Sequence, residues 1–114
     1  MGLSTVIFGC GYHGRAAYRK CKIKNIEVIN WVDNNKKLIG NKYFDLKVLS
    51  PIELRNIDFD QIILCGRNIK DQIKKLKYLK IKKKKLIWNF FDLKPLKRNI
   101  IKRDKKLYQI LKLS

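Results

Sequence analysis

Apolar residues in this chain come in short runs, separated by stretches whose spacing suits helices. Thr5-Val6-Ile7-Phe8 is a short apolar run ending in glycine, fit for a buried strand. Residues 14–21 have helix-compatible spacing and include Ala16 and Ala17. Glu27-Val28-Ile29-Asn30-Trp31-Val32 is a second β-branched run, closed by the turn signal Asp33-Asn34-Asn35. Lys47-Val48-Leu49 makes a brief third strand. Ser50-Pro51-Ile52-Glu53-Leu54 then opens a short helix, with Ser50 at the N-cap, Pro51 at the first helical position and Glu53 at the third. Gln61-Ile62-Ile63-Leu64-Cys65 is a fourth strand, stopped by Gly66. Ile69, Ile73 and Leu76 recur at helical spacing and predict an amphipathic helix over 68–80. Leu86-Ile87-Trp88 is a fifth strand. After Pro95, the residues Leu96, Ile100, Leu107 and Leu111 mark a last, very basic helix over 96–113, within a C-terminal segment 91–114.

Strands alternating with helices predict an α/β domain built on a mostly parallel five-stranded sheet. Right-handed crossovers give the strand order 3-2-1-4-5. Ligands of such sheets bind beyond the carboxyl ends of the strands, where the order reverses, here between strands 1 and 4.

The chemistry expected at that point is carried by glycines. Gly9-Cys10-Gly11-Tyr12-His13-Gly14 matches G-x-G-x-x-G, directly after a predicted strand and at the start of a predicted helix. Gly9 suits the tight turn, Gly11 leaves room for a phosphate at the backbone, and Gly14 allows close packing of helix on strand. The first helical N–H groups, together with the helix dipole, then favour an anion. Asp33, 19 residues after Gly14, stands where a carboxylate accepts hydrogen bonds from a ribose hydroxyl. Its alternative role is to cap the turn formed with Asn34 and Asn35.

Residues 4–90 resemble the Rossmann-like N-terminal domain of bacterial sugar acyltransferases of the NeuD/PglD type, a module that also occurs in nucleotide-sugar dehydratases and other surface-polysaccharide enzymes. The resemblance is carried by residues 6–14, by Trp31-Val32-Asp33-Asn34-Asn35, by Val48-Leu49-Ser50-Pro51 and by Phe59-Asp60-Gln61-Ile62-Ile63-Leu64-Cys65. It implies a three-layer Rossmann-like module that binds a UDP-sugar or NAD(P) through the loop at 9–14 and the residue at 33. The hexapeptide β-helix of the acyltransferases, which binds acetyl-CoA and carries their catalytic His, has no counterpart in this sequence. The Tyr-x-x-x-Lys pair of the dehydratases has none in a fitting place. The resemblance therefore supports binding and leaves catalysis without residues.

Composition narrows the picture further. The 114 residues suit a single domain, and 46% hydrophobic content is too high for a disordered chain. There is no run of 18 apolar residues and no signal-peptide pattern, so the expectation is a cytoplasmic protein. Three cysteines, Cys10, Cys21 and Cys65, with a single His, fit neither a disulfide framework nor a zinc site. The net charge of +19 is uneven: residues 1–60 hold 10 Lys/Arg against 6 Asp/Glu, whereas residues 61–114 hold 18 against 3. Such a field attracts polyanions and anionic ligands: nucleic acid, an anionic membrane or an acidic partner chain. A Lys- and Ile-rich composition along the whole chain is the plainer explanation.

A few side chains near the loop have chemistry of their own. His13 can assist a phosphate as a cation or act as a neutral base. Cys10 lies at a helix start, a setting that can lower a thiol pKa, although it and Cys65 also suit simple packing. Gly66-Arg67-Asn68 follows strand 4 across the switch point. There Arg67 can pair with a pyrophosphate and Asn68 can cap the next helix. The expected ligand-binding set is therefore Gly9, Cys10, Gly11, Tyr12, His13, Gly14, Asp33, Cys65, Gly66 and Arg67. The expected activities are, first, nucleotide binding alone, as a homodimer or beside a separate catalytic subunit; second, a small NAD(P)-dependent sugar-nucleotide oxidoreductase or dehydratase; and third, polyanion binding on the same scaffold.

Overall fold

A computed structural model describes residues 3–66, 69–81, 86–89 and 94–95. The described chain forms one sheet of order β3-β4-β2-β1-β5-β6-β7. Its strands are β1 (Thr5–Phe8), β2 (Val28–Val32), β3 (Lys42–Tyr43), β4 (Leu46–Leu49), β5 (Gln61–Leu64), β6 (Leu86–Asn89) and β7 (Lys94–Pro95). β1 pairs in parallel with β2 and β5, β2 with β4, and β5 with β6. The five parallel strands thus take the order read from sequence, with a short antiparallel strand added at each edge.

Alternation along each strand divides the core into two layers. Ile7, Trp31, Val48 and Ile63 point to one face, where Ala17 and Cys21 of helix α1 (Tyr12–Ile23) cover them. Val6, Phe8, Val32, Ile62 and Leu64 point to the other, under Leu54, Phe59 and Leu76. Leu76 belongs to helix α2 (Ile69–Tyr78), and Leu54 to a 3₁₀ helix over Pro51–Asn56. Both faces of β1 and β5 are covered, so these strands read as unbroken apolar runs.

Both α-helices stop in the same way. Asn25 (φ 58°) and Lys80 (φ 55°) adopt the left-handed conformation. Behind them Ile26 N donates to Cys21 O and Ile81 N to Leu76 O. This closure satisfies carbonyls left open by the last turn.

Two local expectations are corrected, and one feature is new. α1 begins at Tyr12, two residues inside the glycine motif, and runs on to Ile23. The segment after Ser50 is 3₁₀, and the Ser50 side chain makes no capping bond; its carbonyl accepts from Glu53 N instead. The β3–β4 hairpin was not legible. Its two-residue turn, Phe44-Asp45, has both φ values positive (52° and 64°), the turn type that normally takes Asn-Gly or Asp-Gly. Phe44 is held there by stacking on Tyr18, with ring centroids 4.5 Å apart and planes 8° from parallel. The basic helix expected over 96–113 lies outside the described residues, and no helix among the described residues is long and apolar enough to cross a membrane.

Candidate functional site

β1 ends at Phe8, and the chain turns at once through Gly9, whose φ of 107° is a conformation that L side chains rarely adopt. The turn is fixed from both neighbouring strands: Gly9 N donates to Val32 O at 2.7 Å, and Cys65 N donates to Phe8 O at 2.9 Å. α1 then rises so close to the loop that a Cβ on Gly14 would overlap the carbonyl oxygen of Gly9 and stand 2.8 Å from its carbonyl carbon. The first and third glycines of the motif are therefore required by backbone geometry.

Gly11 is different. It is the N-cap residue of α1, it is exposed, and a Cβ placed on it meets nothing within 4 Å. No side chain caps the helix, and its first turn holds no acidic residue. The turn is thus left open on its outer side, with helical N–H groups and the positive end of the dipole directed there. Tyr12 beside it is 81% exposed, and its ring meets His13 edge-on at 5.3 Å.

Asp33 directly follows β2, where it makes the foreseen turn cap and one further contact. Its Oδ2 accepts from Cys10 N at 2.9 Å, and its Oδ1 accepts from Asn35 N at 2.8 Å. It therefore caps its own turn and also ties that turn to the glycine loop. Each carboxylate oxygen can accept more than one hydrogen bond, so the half-buried group keeps capacity for a hydroxyl.

Cys10 and Cys65 are brought together with the loop, but as packing. Their side chains are 0% and 3% exposed and lie in the core layer under α1. Cys10 is no activated thiol. Burial, reinforced by the charge and hydrogen bond of Asp33, pushes it from an ordinary 9.0 up to about 12, against a smaller opposing pull from Arg15. Burial pushes Cys21 up to about 12 and raises Cys65 as well. Folding thus holds the proton on these thiols: the associated stability is whole below pH 9, the unfolded value, and is lost as pH climbs towards 12. Iodoacetamide at pH 8 should label none of the three in the native protein and all three in urea. Rapid native labelling of Cys10 would contradict its burial.

Two contributors were missed from sequence. Arg15 donates from Nε to Cys10 O at 3.2 Å, and its guanidinium lies 4.3 Å over the Tyr43 ring, bracing the loop from the hairpin side. Gln72 of α2 is buried, donates from Nε2 to Phe8 O at 3.0 Å and accepts on Oε1 from Gly66 N at 3.3 Å. It clamps the ends of β1 and β5 together at the point where the sheet order reverses. Its signal was available, because a glutamine at 72 sits on the otherwise apolar stripe of Ile69, Ile73 and Leu76. Arg67 and Asn68 lie outside the described residues. Among the described residues, no group of three His, Cys, Asp or Glu is placed to hold a metal ion.

Comparisons with known proteins bear on the fold. A family model described as C2185-like, N-terminal, matches residues 1–87. No curated protein sequence matches the chain. Among solved structures, RSP, a Rex-family repressor, superposes with a TM-score of 0.65 at 23% identity, over 96% of this chain and 57% of that one. The same repressor in complex with β-NADH gives 0.62 at 23%, over 96% and 58%. UDP-D-quinovosamine 4-dehydrogenase from Vibrio fischeri gives 0.57 at 15%, covering 78% of each chain. The chain spans a little over half the length of the repressor chains. These likenesses show a Rossmann-like fold.

Proposed function

The chain belongs to the C2185-like N-terminal family, and from that premise we propose that it is a nucleotide-binding module that takes NAD(H). The carrying observation is the open, uncapped first turn of α1 at Gly11, with the Asp33 carboxylate tied to the same loop. A pyrophosphate settles on the helical N–H groups, and the adenosine ribose hydroxyls reach Asp33. A 2′-phosphate at that carboxylate is opposed by like charge, so NADP(H) binds more weakly. The fold neighbour solved with β-NADH supports this choice. The UDP-sugar dehydrogenase neighbour keeps a second reading alive, in which the same loop takes the diphosphate of a UDP-sugar. A role in surface-polysaccharide metabolism rests on the resemblance to the acyltransferase and dehydratase modules.

The reading is of binding rather than turnover. The three thiols are buried, so none of them is given a part in this reading.

Thermal shift with NADH, NADP, UDP, UDP-sugars and CoA tests it. A ligand at 100 times its Kd adds about 2.7 kcal/mol. NADH is expected to give the largest shift. Gly11→Val, which enters open space, should unfold at the wild-type temperature and lose that shift. A retained shift in Gly11→Val, or no shift with any nucleotide, overturns the proposal. A shift with UDP-sugars alone replaces NAD(H) by the second reading.

A further inference from the structure

The outer face of α2 carries a row of cations that nucleotide binding does not use. Lys70, Lys74 and Lys77 recur at i, i+4 and i+7, and all three are exposed. They form one stripe about 10 Å long at 1.5 Å rise per residue. Asp71 is the helix's one acid. Tyr78, next to Lys77, is 75% exposed. Exposed Lys80 follows, and the sequence then runs on into the four lysines 82–85.

The opposite face of α2 is spent. Gln72, Leu76 and Leu79 are buried, and Ile69 and Ile73 pack against the core. A helix that lies in a bilayer needs a free apolar face to insert, and α2 has none. A nucleic-acid strand needs only what this face presents. Its backbone presents a row of phosphates, which the three lysines can neutralise. An exposed aromatic beside them gives a base a ring to stack on. We propose that the Lys70–Lys74–Lys77 row, with Tyr78, is a binding surface for single-stranded nucleic acid, engaged through its phosphates without base sequence preference.

The test is fluorescence anisotropy of the full chain with a labelled 20-nucleotide single strand, across a salt series. Each phosphate neutralised adds about 0.7 to the slope of log affinity against log salt, so three contacts are worth about 100-fold at 0.1 M salt. Lys70→Gln/Lys74→Gln/Lys77→Gln should therefore lose about 100-fold in affinity and about 2 in slope, with circular dichroism unchanged. Tyr78→Ala should lose about tenfold. The control Lys22→Gln/Lys24→Gln/Lys42→Gln removes the same charge from exposed positions elsewhere and should change affinity less than about threefold. Gly11→Val should bind the strand normally, which separates failure here from failure of the nucleotide reading. Equal losses in the two triple variants would show that the whole basic field is responsible and overturn the proposal. So would phosphatidylserine vesicles that bind through this row while the oligonucleotide does not.

Discussion

Gly14→Ala is expected to destabilise the domain by about 3 kcal/mol or more, out of the 5–15 kcal/mol typical of a folded domain. The added methyl overlaps the Gly9 carbonyl oxygen, and its other near neighbour is the carbonyl carbon of the same residue. Neither atom can swing aside as the end of a flexible side chain would. Gly9 is itself pinned by the bond from its N–H to Val32 O and by a φ of 107°. Relief therefore requires α1 to slide off the sheet, which unpacks Ala17 and Cys21 from the layer over Ile7 and Trp31. Urea denaturation measures this directly. The midpoint should fall steeply with the slope nearly unchanged, and a variant within 1 kcal/mol of wild type would show that helix and strand are not in contact there. The contrast with Gly11→Val is informative, because two glycines of one motif separate into a packing requirement and an open position.

Gln72→Leu should cost about 1–3 kcal/mol, although leucine matches the apolar stripe around it. The substitution leaves Gly66 N without its partner and takes one of two donors from Phe8 O. An orphaned group shut away from water costs about 1–3 kcal/mol, and Gly66 N is half-buried. Gln72→Glu separates the two bonds. A carboxylate still accepts from Gly66 N but cannot donate to Phe8 O, and only the protonated acid does both. Burial raises the folded pKa of such a glutamate above the unfolded value of about 4.3. The variant's stability should therefore be greatest below that pH and fall as pH rises through the folded pKa. Chemical denaturation of both variants between pH 4 and 8 checks this. A Gln72→Leu variant as stable as wild type would mean that the clamp is dispensable.

The parallel order of the sheet, the burial of β1 and the glycine motif were all legible in the sequence. Each follows from a local rule: apolar runs of strand length, a helical repeat at 69, 73 and 76, and glycine where a turn has no space for a side chain. The role of Gly14 was legible for the same reason. The turn cap at Asp33 was legible as one of its roles, and Asn35 N donates to it at 2.8 Å; its bond from Cys10 N at 2.9 Å was not, because it joins residues 23 apart in the chain. The reactive alternative for Cys10 fails on the same ground: a helix start lowers a thiol pKa only where the thiol is not buried against a carboxylate.

The sequence alone determined the five parallel strands of the sheet and where the chain must turn through glycine, because period and backbone sterics act between near neighbours. Tertiary structure alone decided the Phe44-Asp45 hairpin, the bracing of the loop by Arg15 and the Gln72 clamp between Phe8 and Gly66. Each of these joins groups far apart in the chain or overrides a local preference. A left-handed phenylalanine is unfavourable until Tyr18 lies under its ring, and a buried glutamine is unfavourable until two strand ends arrive to satisfy it.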